Sequence, residues 1–245
     1  MNEPEIIFEN SDFLVINKPA GLMVHGVRLS SKRRIDEVRI AEPTLVDWLL
    51  AHYPEIKSVG DEPVLRPGIV HRLDKATSGV MIIAKTQASF ERLKKLFQEH
   101  RIKKTYYAFV SGVPKKSHGI IDAAIGIKSG SLKRSVHSDT MAKTAITEYS
   151  ILKTMKGKDN EGQYALLKVN PKTGRTHQIR VHLASIGHPI IGDTLYGTKT
   201  SRDSIASLHL ATLRLMLHAA ALEFLDDAGN RFEFEALLPE DFILR

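Results

Sequence analysis

The sequence predicts an α+β fold with a central mixed or antiparallel β-sheet flanked by helices and loops. β-Prone runs and amphipathic segments alternate irregularly, without the βαβ rhythm of a parallel sheet. Neither a GxGxxG nor a Walker A pattern occurs, which argues against a nucleotide-binding fold. The 245 residues are 42% hydrophobic and can bury a sizeable core. Since no internal repeat or linker is apparent, we expect one domain over residues 1–245.

The strands are predicted from short runs rich in β-branched, aromatic and apolar residues. The run at 79–84 is almost continuously apolar, which indicates a strand that is buried on both faces. Two later runs flank a polar loop and are expected to form a hairpin. The predicted strands are residues 6–8, 13–16, 79–84, 105–110, the hairpin 145–152 and 164–169, and finally 216–224 and 231–238.

Three helices are predicted, at residues 44–52, 87–100 and 176–186. Thr44 is placed to cap the first helix, and Gly187 is placed to end the third. One face of the third helix would carry His177, Arg180 and Ala184. The opposite, core-facing side would carry Ile179, Leu183 and Ile186.

The charge of the chain indicates an acidic partner. A formal net charge of +7 points first to nucleic acid and second to an anionic membrane surface. Two basic segments, residues 27–42 and 128–134, could grip RNA. The absence of cysteine excludes disulfides, thiolate metal sites and cysteine nucleophiles. With no signal peptide and no apolar run of membrane-spanning length, we expect a cytoplasmic protein.

The densest chemical signal is residues 68–80, where polar residues directly precede the buried strand. Several of them can bond a ligand or move a proton, including His71, Arg72 and Asp74. The residues alone explain this segment equally well as a turn, in which Asp74 and Thr77 bond to their own backbone.

The segment His71-Arg72-Leu73-Asp74-Lys75-Ala76-Thr77-Ser78-Gly79 resembles the catalytic loop of RluA-type RNA pseudouridine synthases. Three further segments resemble the family's opening turn, tyrosine motif and arginine motif, in the family's order. They are residues 17–22, residues 104–108, and residues 174–182 together with 187–193. The resemblance runs from about residue 12 to residue 238 and implies the pseudouridine synthase catalytic fold.

The resemblance implies that Asp74 is the catalytic carboxylate. The reaction breaks the N1–C1′ bond of uridine, turns the uracil and rejoins it through C5, so neither a redox cofactor nor an energy donor is needed. The carboxylate either attacks C1′ or removes a proton from the ribose, and the sequence does not choose between these roles. A carboxylate in a closed pocket needs a cation to stay ionised. The family's partner arginine corresponds to Arg180, which the residues alone would place on the surface.

Other positions acquire roles from the same resemblance. Tyr106 would stack on the flipped uracil and Leu217 would pack on it, although both suit ordinary core positions. Arg72 would fill the space that the base leaves, or else contact a phosphate. The remaining predicted RNA contacts are His71, Thr77, Arg175 and His177, the last two at the start of the third helix.

The expected partner is ribosomal or transfer RNA, and we expect a monomer that uses no metal and no cofactor. Many relatives carry an S4-type domain before the catalytic domain, and this chain is expected to lack one. Two alternatives remain: a non-catalytic RNA-binding or RNA-folding protein on the same scaffold, and a nucleosidase. A nucleosidase commonly needs a second acidic group, which the matched motifs do not contain.

Overall fold

A computed structural model describes residues 3–26, 42–128, 133–157, 162–198 and 214–242. The chain forms two compact units, the first of residues 1–102 with 224–236 and the second of residues 103–223 with 237–245. Strands and helices alternate irregularly along the chain, which confirms the α+β class. None of the described helices has the length and hydropathy to cross a membrane.

The first unit is built on antiparallel strands and two helices. Its strands and helices are β1 (Glu5–Glu9), β2 (Phe13–Lys18), α1 (Leu45–His52), β3 (Ser78–Ala84), α2 (Gln87–Gln98) and β11 (Arg231–Glu235). β2 pairs antiparallel with both β1 and β3. Every residue of β3 is buried, as its apolar run predicted.

An aromatic cluster supplies much of the core of this unit. Its neighbouring rings lie 5.2–6.4 Å apart between centroids, in tilted, stacked and edge-on pairs that aromatic quadrupoles favour. The cluster is formed by Phe8, Phe13, Phe224, Phe232 and Phe234.

Threonine caps fix where both helices of the first unit begin. Thr44, as predicted, accepts a hydrogen bond from Asp47 N and completes a capping box. Thr86 does the same for α2 through Ser89. α2 ends at Gln98, two residues earlier than predicted. His100 has a positive φ of 57°, which takes the chain out of the helical conformation.

In its described residues, the second unit is an antiparallel sheet with one α-helix and a small two-stranded ribbon. Its elements are β4 (Lys103–Ser111), β5 (His118–Asp122), β6 (Gly126–Ile127), β7 (Arg134–Ser135), β8 (Ile146–Lys156), β9 (Gln163–Pro171), α3 (Gln178–Ser185) and β10 (Leu217–Leu225). The strand order is β10-β4-β9-β8-β5, and β6 pairs with β7. The predicted β8–β9 hairpin is confirmed.

The third helix differs from its prediction at both ends. It begins at Gln178, because His177 adopts the left-handed conformation (φ 57°, ψ 18°) and serves as its N-cap. Arg175 therefore lies in the preceding turn, outside the helix. Ile186 follows the last helical residue and is 37% exposed, so its predicted core position was wrong. Gly187 (φ +83°) ends the helix as predicted.

The two basic segments lie largely or partly outside the described residues. Of the segment 27–42, only Glu42 is described, and its carboxylate pairs with Lys75. Of the segment 128–134, Lys128, Lys133 and Arg134 are described, with Arg134 in β7.

Candidate active site

The Asp74 loop, residues 68–77, is anchored at both ends by backbone contacts. At its start, the Gly68 carbonyl accepts a 2.9 Å bond from Ala84 N at the end of β3. A Cβ on Gly68 would lie 2.5 Å from the Ala84 carbonyl oxygen, so only glycine allows this approach. At its end, Thr77 N donates to the Asp74 carbonyl at 3.0 Å and closes a turn.

Asp74 is less buried than Leu73 and Thr77 in this loop. Leu73 and Thr77, on either side of Asp74, are 7% and 2% exposed, whereas Asp74 is half-buried. The turn is closed by the main-chain carbonyl of Asp74. A rigid turn that presents a carboxylate between two buried neighbours suits a catalytic group.

A buried lysine ties the opening turn to the Asp74 loop. Lys18 is fully buried, and its Nζ donates to the carbonyls of Pro19 and Leu22, both at 2.8 Å, and of Lys75 at 3.3 Å. Gly21 N also donates to the Lys75 carbonyl, at 2.8 Å. Since Lys75 directly follows Asp74, these bonds hold the carboxylate's backbone in place.

His71 has a structural task within the first unit. Its Nε2 accepts a 3.0 Å bond from Ile82 N on β3, and its ring stacks on Phe97 with centroids 4.5 Å apart. An RNA contact by His71, which remains a prediction, would come in addition to this anchoring.

Arg72 is exposed and is oriented by a histidine that the sequence reasoning did not single out. Arg72 Nη1 lies 3.0 Å from His25 Nε2, and His25 Nδ1 lies 2.6 Å from the Gly26 carbonyl. The guanidinium of Arg72 can only donate, and the carbonyl of Gly26 can only accept. His25 therefore carries its proton on Nδ1, and its Nε2 accepts from Arg72. Burial lowers the pKa of His25, and the charges of Arg72 and Arg66 lower it further.

In the second unit, Tyr106 and Leu217 lie on one face of the sheet. Tyr106 is opposite Ala219 of β10, and Leu217 is opposite Ala108 of β4. Opposed and alternate residues in an antiparallel pair share a face, so Tyr106 and Leu217 are diagonal neighbours. Tyr107 projects on the other face, as the strand periodicity predicted.

A β-bulge lies beside Tyr106. The register of β10 shifts between Ala219 and Ala221, which are opposite Tyr106 and Thr105, so that Ala220 is the extra residue. Bulges twist a strand locally and re-aim the neighbouring side chains, and they are common next to active sites.

Arg180 is buried and is held in a bidentate ion pair. It is 6% exposed, and its Nε and Nη2 donate to the two carboxylate oxygens of Asp193 at 2.8 and 2.9 Å. Asp193 also accepts from the backbone N–H groups of Leu195 and Tyr196, at 2.9 and 3.0 Å. Burial opposes ionisation of Asp193, but the bonds and charge of Arg180 outweigh it and lower the pKa.

The turn before α3 is fixed by Gln178. Its Oε1 accepts from Thr173 Oγ1 at 2.7 Å and from Arg175 N at 3.0 Å, while its Nε2 donates to the Ile146 carbonyl at 2.9 Å. The predicted residues Arg175, His177 and Arg180 are thus gathered within one short, well-bonded segment. His177 Nδ1 and the hydroxyl of Tyr196 are hydrogen-bonded at 2.8 Å.

Lys104, the first residue of the matched tyrosine motif, also contacts the turn before α3, although the sequence assigned it no role. It shares a β4 face with Tyr106, and its Nζ donates to the Thr173 carbonyl at 3.1 Å. Burial lowers its pKa to about 8.

Sequence reasoning missed His25 and Tyr196 as members of these sites, and it quoted Lys18, Lys104 and Asp193 only as parts of matched motifs. For these three residues the motif position was an available signal. For the others the partners are distant in sequence. Within the described residues there is no group of three or more His, Asp or Glu side chains that could hold a metal ion.

Comparison with known proteins places these motifs in a wider group. Residues 12–185 match the profile of a family described as RNA pseudouridylate synthase. An RNA pseudouridine synthase of Aquifex aeolicus is 42% identical over 239 residues, which are 97% of this chain and 70% of that protein. The ribosomal large subunit pseudouridine synthase D of Zymomonas mobilis is 37% identical and is covered to 73%, against 99% of this chain.

A solved structure is also similar. Human RNA pseudouridylate synthase domain containing 1 aligns with a TM-score of 0.73 and 27% sequence identity. The alignment covers 97% of this chain and 84% of the human one.

Proposed function

The chain belongs to the RNA pseudouridylate synthase family and is an RNA-modifying isomerase of the RluA type, and on that premise we propose that Asp74 converts specific uridines of ribosomal RNA to pseudouridine. The sequence leaves transfer RNA as the other substrate class. The name of the Zymomonas mobilis relative, a ribosomal large subunit enzyme, favours ribosomal RNA.

The geometry of the Asp74 loop is the observation that best supports this proposal. Its anchored turn presents one half-buried carboxylate, and the reaction needs one. Asp74 either attacks C1′ or takes a proton from the ribose, which releases the uracil from N1. Carbon 5 of the uracil then bonds to C1′ as the carboxylate leaves C1′ or, on the other route, as the ribose regains its proton. The hydrogen of C5 leaves as a proton and N1 takes one up. The atoms balance without any co-reactant.

We assign the remaining roles by motif and local geometry. Tyr106 stacks on the flipped uracil and Leu217 packs on it, which fits their shared sheet face. Arg180 supplies the positive charge that favours an ionised carboxylate, and its burial and its Asp193 pair support a fixed, functional orientation over a solvated one. Arg72 fills the space that the flipped base leaves, with Thr77, His71, Arg175 and His177 as the further RNA contacts.

The chemistry at C5 provides a direct assay. RNA labelled with tritium at C5 of uridine should release tritium to water with the wild-type protein, and Asp74→Asn should reduce the rate by about 10²–10⁴-fold or more. Free uracil in the medium would indicate a nucleosidase instead. Wild-type binding with neither product would leave only an RNA-binding protein. Separate ribosomal and transfer RNA substrates distinguish the two classes.

Each proposed role lies on the same polypeptide, so we also propose that the monomer is the active form. Sedimentation velocity at the concentrations of the assay should give a single species of about the chain mass of 27.4 kDa. Activity that appears only in a larger species would contradict this.

A further inference from the structure

The second unit contains a small concave pocket apart from the residues assigned to the uracil. Its cavity volume is about 230 Å³. It is walled by the β6–β7 ribbon, by the segment that precedes β8, and by the turn before α3. The lining residues are Ile125, Gly126, Ile127, Arg134, Met141, Lys143, Gly174, Arg175 and Thr176.

The charged side chains of this lining are all cationic. They are Arg134, Lys143 and Arg175. In the part of the chain that the structure describes, neither Arg134 nor Lys143 has a carboxylate within ion-pair distance. Three like charges around one hollow raise a positive potential there, and an anion that enters it relieves the repulsion.

Hydrogen bonds fix the backbone that carries these cations. Arg175 Nε donates to the Thr144 carbonyl at 3.0 Å, which orients its guanidinium. Lys143 and Ile125 exchange two backbone bonds of 3.1 and 2.9 Å. Arg134 N donates to the hydroxyl of Tyr196 at 2.9 Å. A pocket assembled in advance loses little entropy when it binds an anion.

Met141 at the pocket is unfavourable for folding on two counts. Its φ of 50° lies in the left-handed region, which a residue with a Cβ adopts only at a cost. Its side chain is 70% exposed, so it buries little apolar surface. A polarisable thioether held in solvent beside three cations can instead pack on the flat face of a base.

We propose that this pocket binds a phosphodiester of the substrate RNA, with Met141 against a neighbouring base. The volume is below the roughly 300–1,000 Å³ of sites that enclose whole small molecules, so it suits one unit of a polymer. The inference rests on the proposed function only in taking RNA as the substrate. It assigns Arg134, from the basic segment 128–134, to a defined site and adds Lys143 and Met141 to the RNA contacts named above.

Binding of a labelled 12-mer oligoadenylate tests the cations. This probe has no uridine and cannot enter the reaction. We compare the double variant Arg134→Ala with Lys143→Ala against Lys153→Ala with Lys156→Ala, which removes the same charge from exposed positions of β8. The pocket variant should lose about tenfold in affinity, and the slope of log K against log salt should shrink by about 0.7 or more. If the two double variants bind equally, the proposal is wrong.

Substitution of Met141 gives a second test with a built-in control for folding. Met141→Gly relieves the positive φ, so its midpoint of thermal unfolding should stay the same or rise by about 1–3 °C. Oligoadenylate affinity should nevertheless fall several-fold, while Met141→Leu retains it. Wild-type affinity in Met141→Gly would contradict the base contact.

The failure of this inference can be told from the failure of the proposed function. Asp74→Asn should bind oligoadenylate like the wild type. If the wild type makes no pseudouridine but the pocket variant still loses affinity, the RNA-binding pocket is supported and the proposed reaction is wrong. If the wild type forms pseudouridine and the pocket variant binds oligoadenylate as its control does, only the pocket assignment is wrong.

Discussion

At the scale of single residues, the protonation state of His25 determines whether its ring can accept a hydrogen bond from Arg72. The neutral ring accepts from Arg72 through Nε2, whereas a protonated ring has no lone pair there and repels the guanidinium. Burial, Arg72 and Arg66 lower the pKa of His25, against the opposing effects of the Gly26 carbonyl and Glu62. A lowered folded-state pKa means that this stabilisation is present above about pH 6.5 and is lost as the pH falls through the folded value.

Replacement of His25 by glutamine should therefore change the acid side of the pH profile. An amide oxygen accepts from Arg72 at every pH, so in the acid range below the lowered pKa of folded His25 the turnover of His25→Gln should decline less steeply than wild-type turnover. His52→Gln, at an exposed position of α1, serves as the control. Acid limbs of equal steepness in His25→Gln and the wild type would refute the role of His25.

Deprotonation of Lys104 should make the free energy of unfolding depend on pH in the alkaline range. Its folded-state pKa of about 8 is below the unfolded value near 10.4, so the unfolded chain holds more protons between these pH values and stability rises with pH. From pH 8 to 9.5 the rise should be roughly 2 kcal/mol, and Lys104→Met should remove it. Urea unfolding at several pH values measures this, with the exposed Lys103→Met as the control. An unchanged slope in Lys104→Met would contradict the burial effect.

At the scale of elements, α3 and the turn after it form one unit through the Arg180–Asp193 pair. The pair joins a helix residue to the turn at 190–196, and two backbone N–H groups complete the carboxylate's bonding. The motif resemblance predicted an important arginine, and its burial follows from this pair. The periodicity could not reveal the left-handed His177, because a positive φ at a residue with a Cβ is imposed by contacts made elsewhere in the fold.

A double-mutant cycle on this pair tests the connection. Asp193→Asn and Arg180→Met should each reduce the free energy of unfolding by about 3–5 kcal/mol, because each leaves a buried group without this ionic partner. The double variant should lose less than the sum by about 1–3 kcal/mol. Strictly additive losses would show that the pair is not coupled.

Lys18 provides a second prediction at this scale. Lys18→Met removes the lysine donor from the carbonyls of Pro19 and Leu22, at a cost of about 1–3 kcal/mol for each buried acceptor left unsatisfied. The Lys75 carbonyl keeps its bond from Gly21 N. Turnover should fall as well, because the loop that carries Asp74 loosens. In Lys18→Met, the amides of Gly21 and Thr77 should exchange hydrogen faster than in the wild type. Unchanged exchange at these amides would contradict the role of Lys18 in holding the Asp74 loop.

At the scale of the whole molecule, the fold class, most strands and all three described α-helices followed from periodicity and capping residues. Element ends were less predictable: α3 began two residues late because His177 turned left-handed. Asp74, Tyr106 and Arg180 were proposed as catalytic residues from motifs, since residue types alone left each with an ordinary structural explanation. The contacts of His25, outside every matched motif, and of Lys104, inside the tyrosine motif, were not predictable, because their partners Arg72 and Thr173 lie 47 and 69 residues away in sequence.

The most direct test of the account is a map of pseudouridine in ribosomal RNA taken from cells that lack this gene. The RNA is treated with wild-type protein or with Asp74→Asn, and each uridine is scored by chemical modification and primer extension. The wild type should restore pseudouridine at discrete positions, and Asp74→Asn should restore none while it binds the RNA with similar affinity. Restoration by Asp74→Asn at a rate near that of the wild type would contradict the central claim.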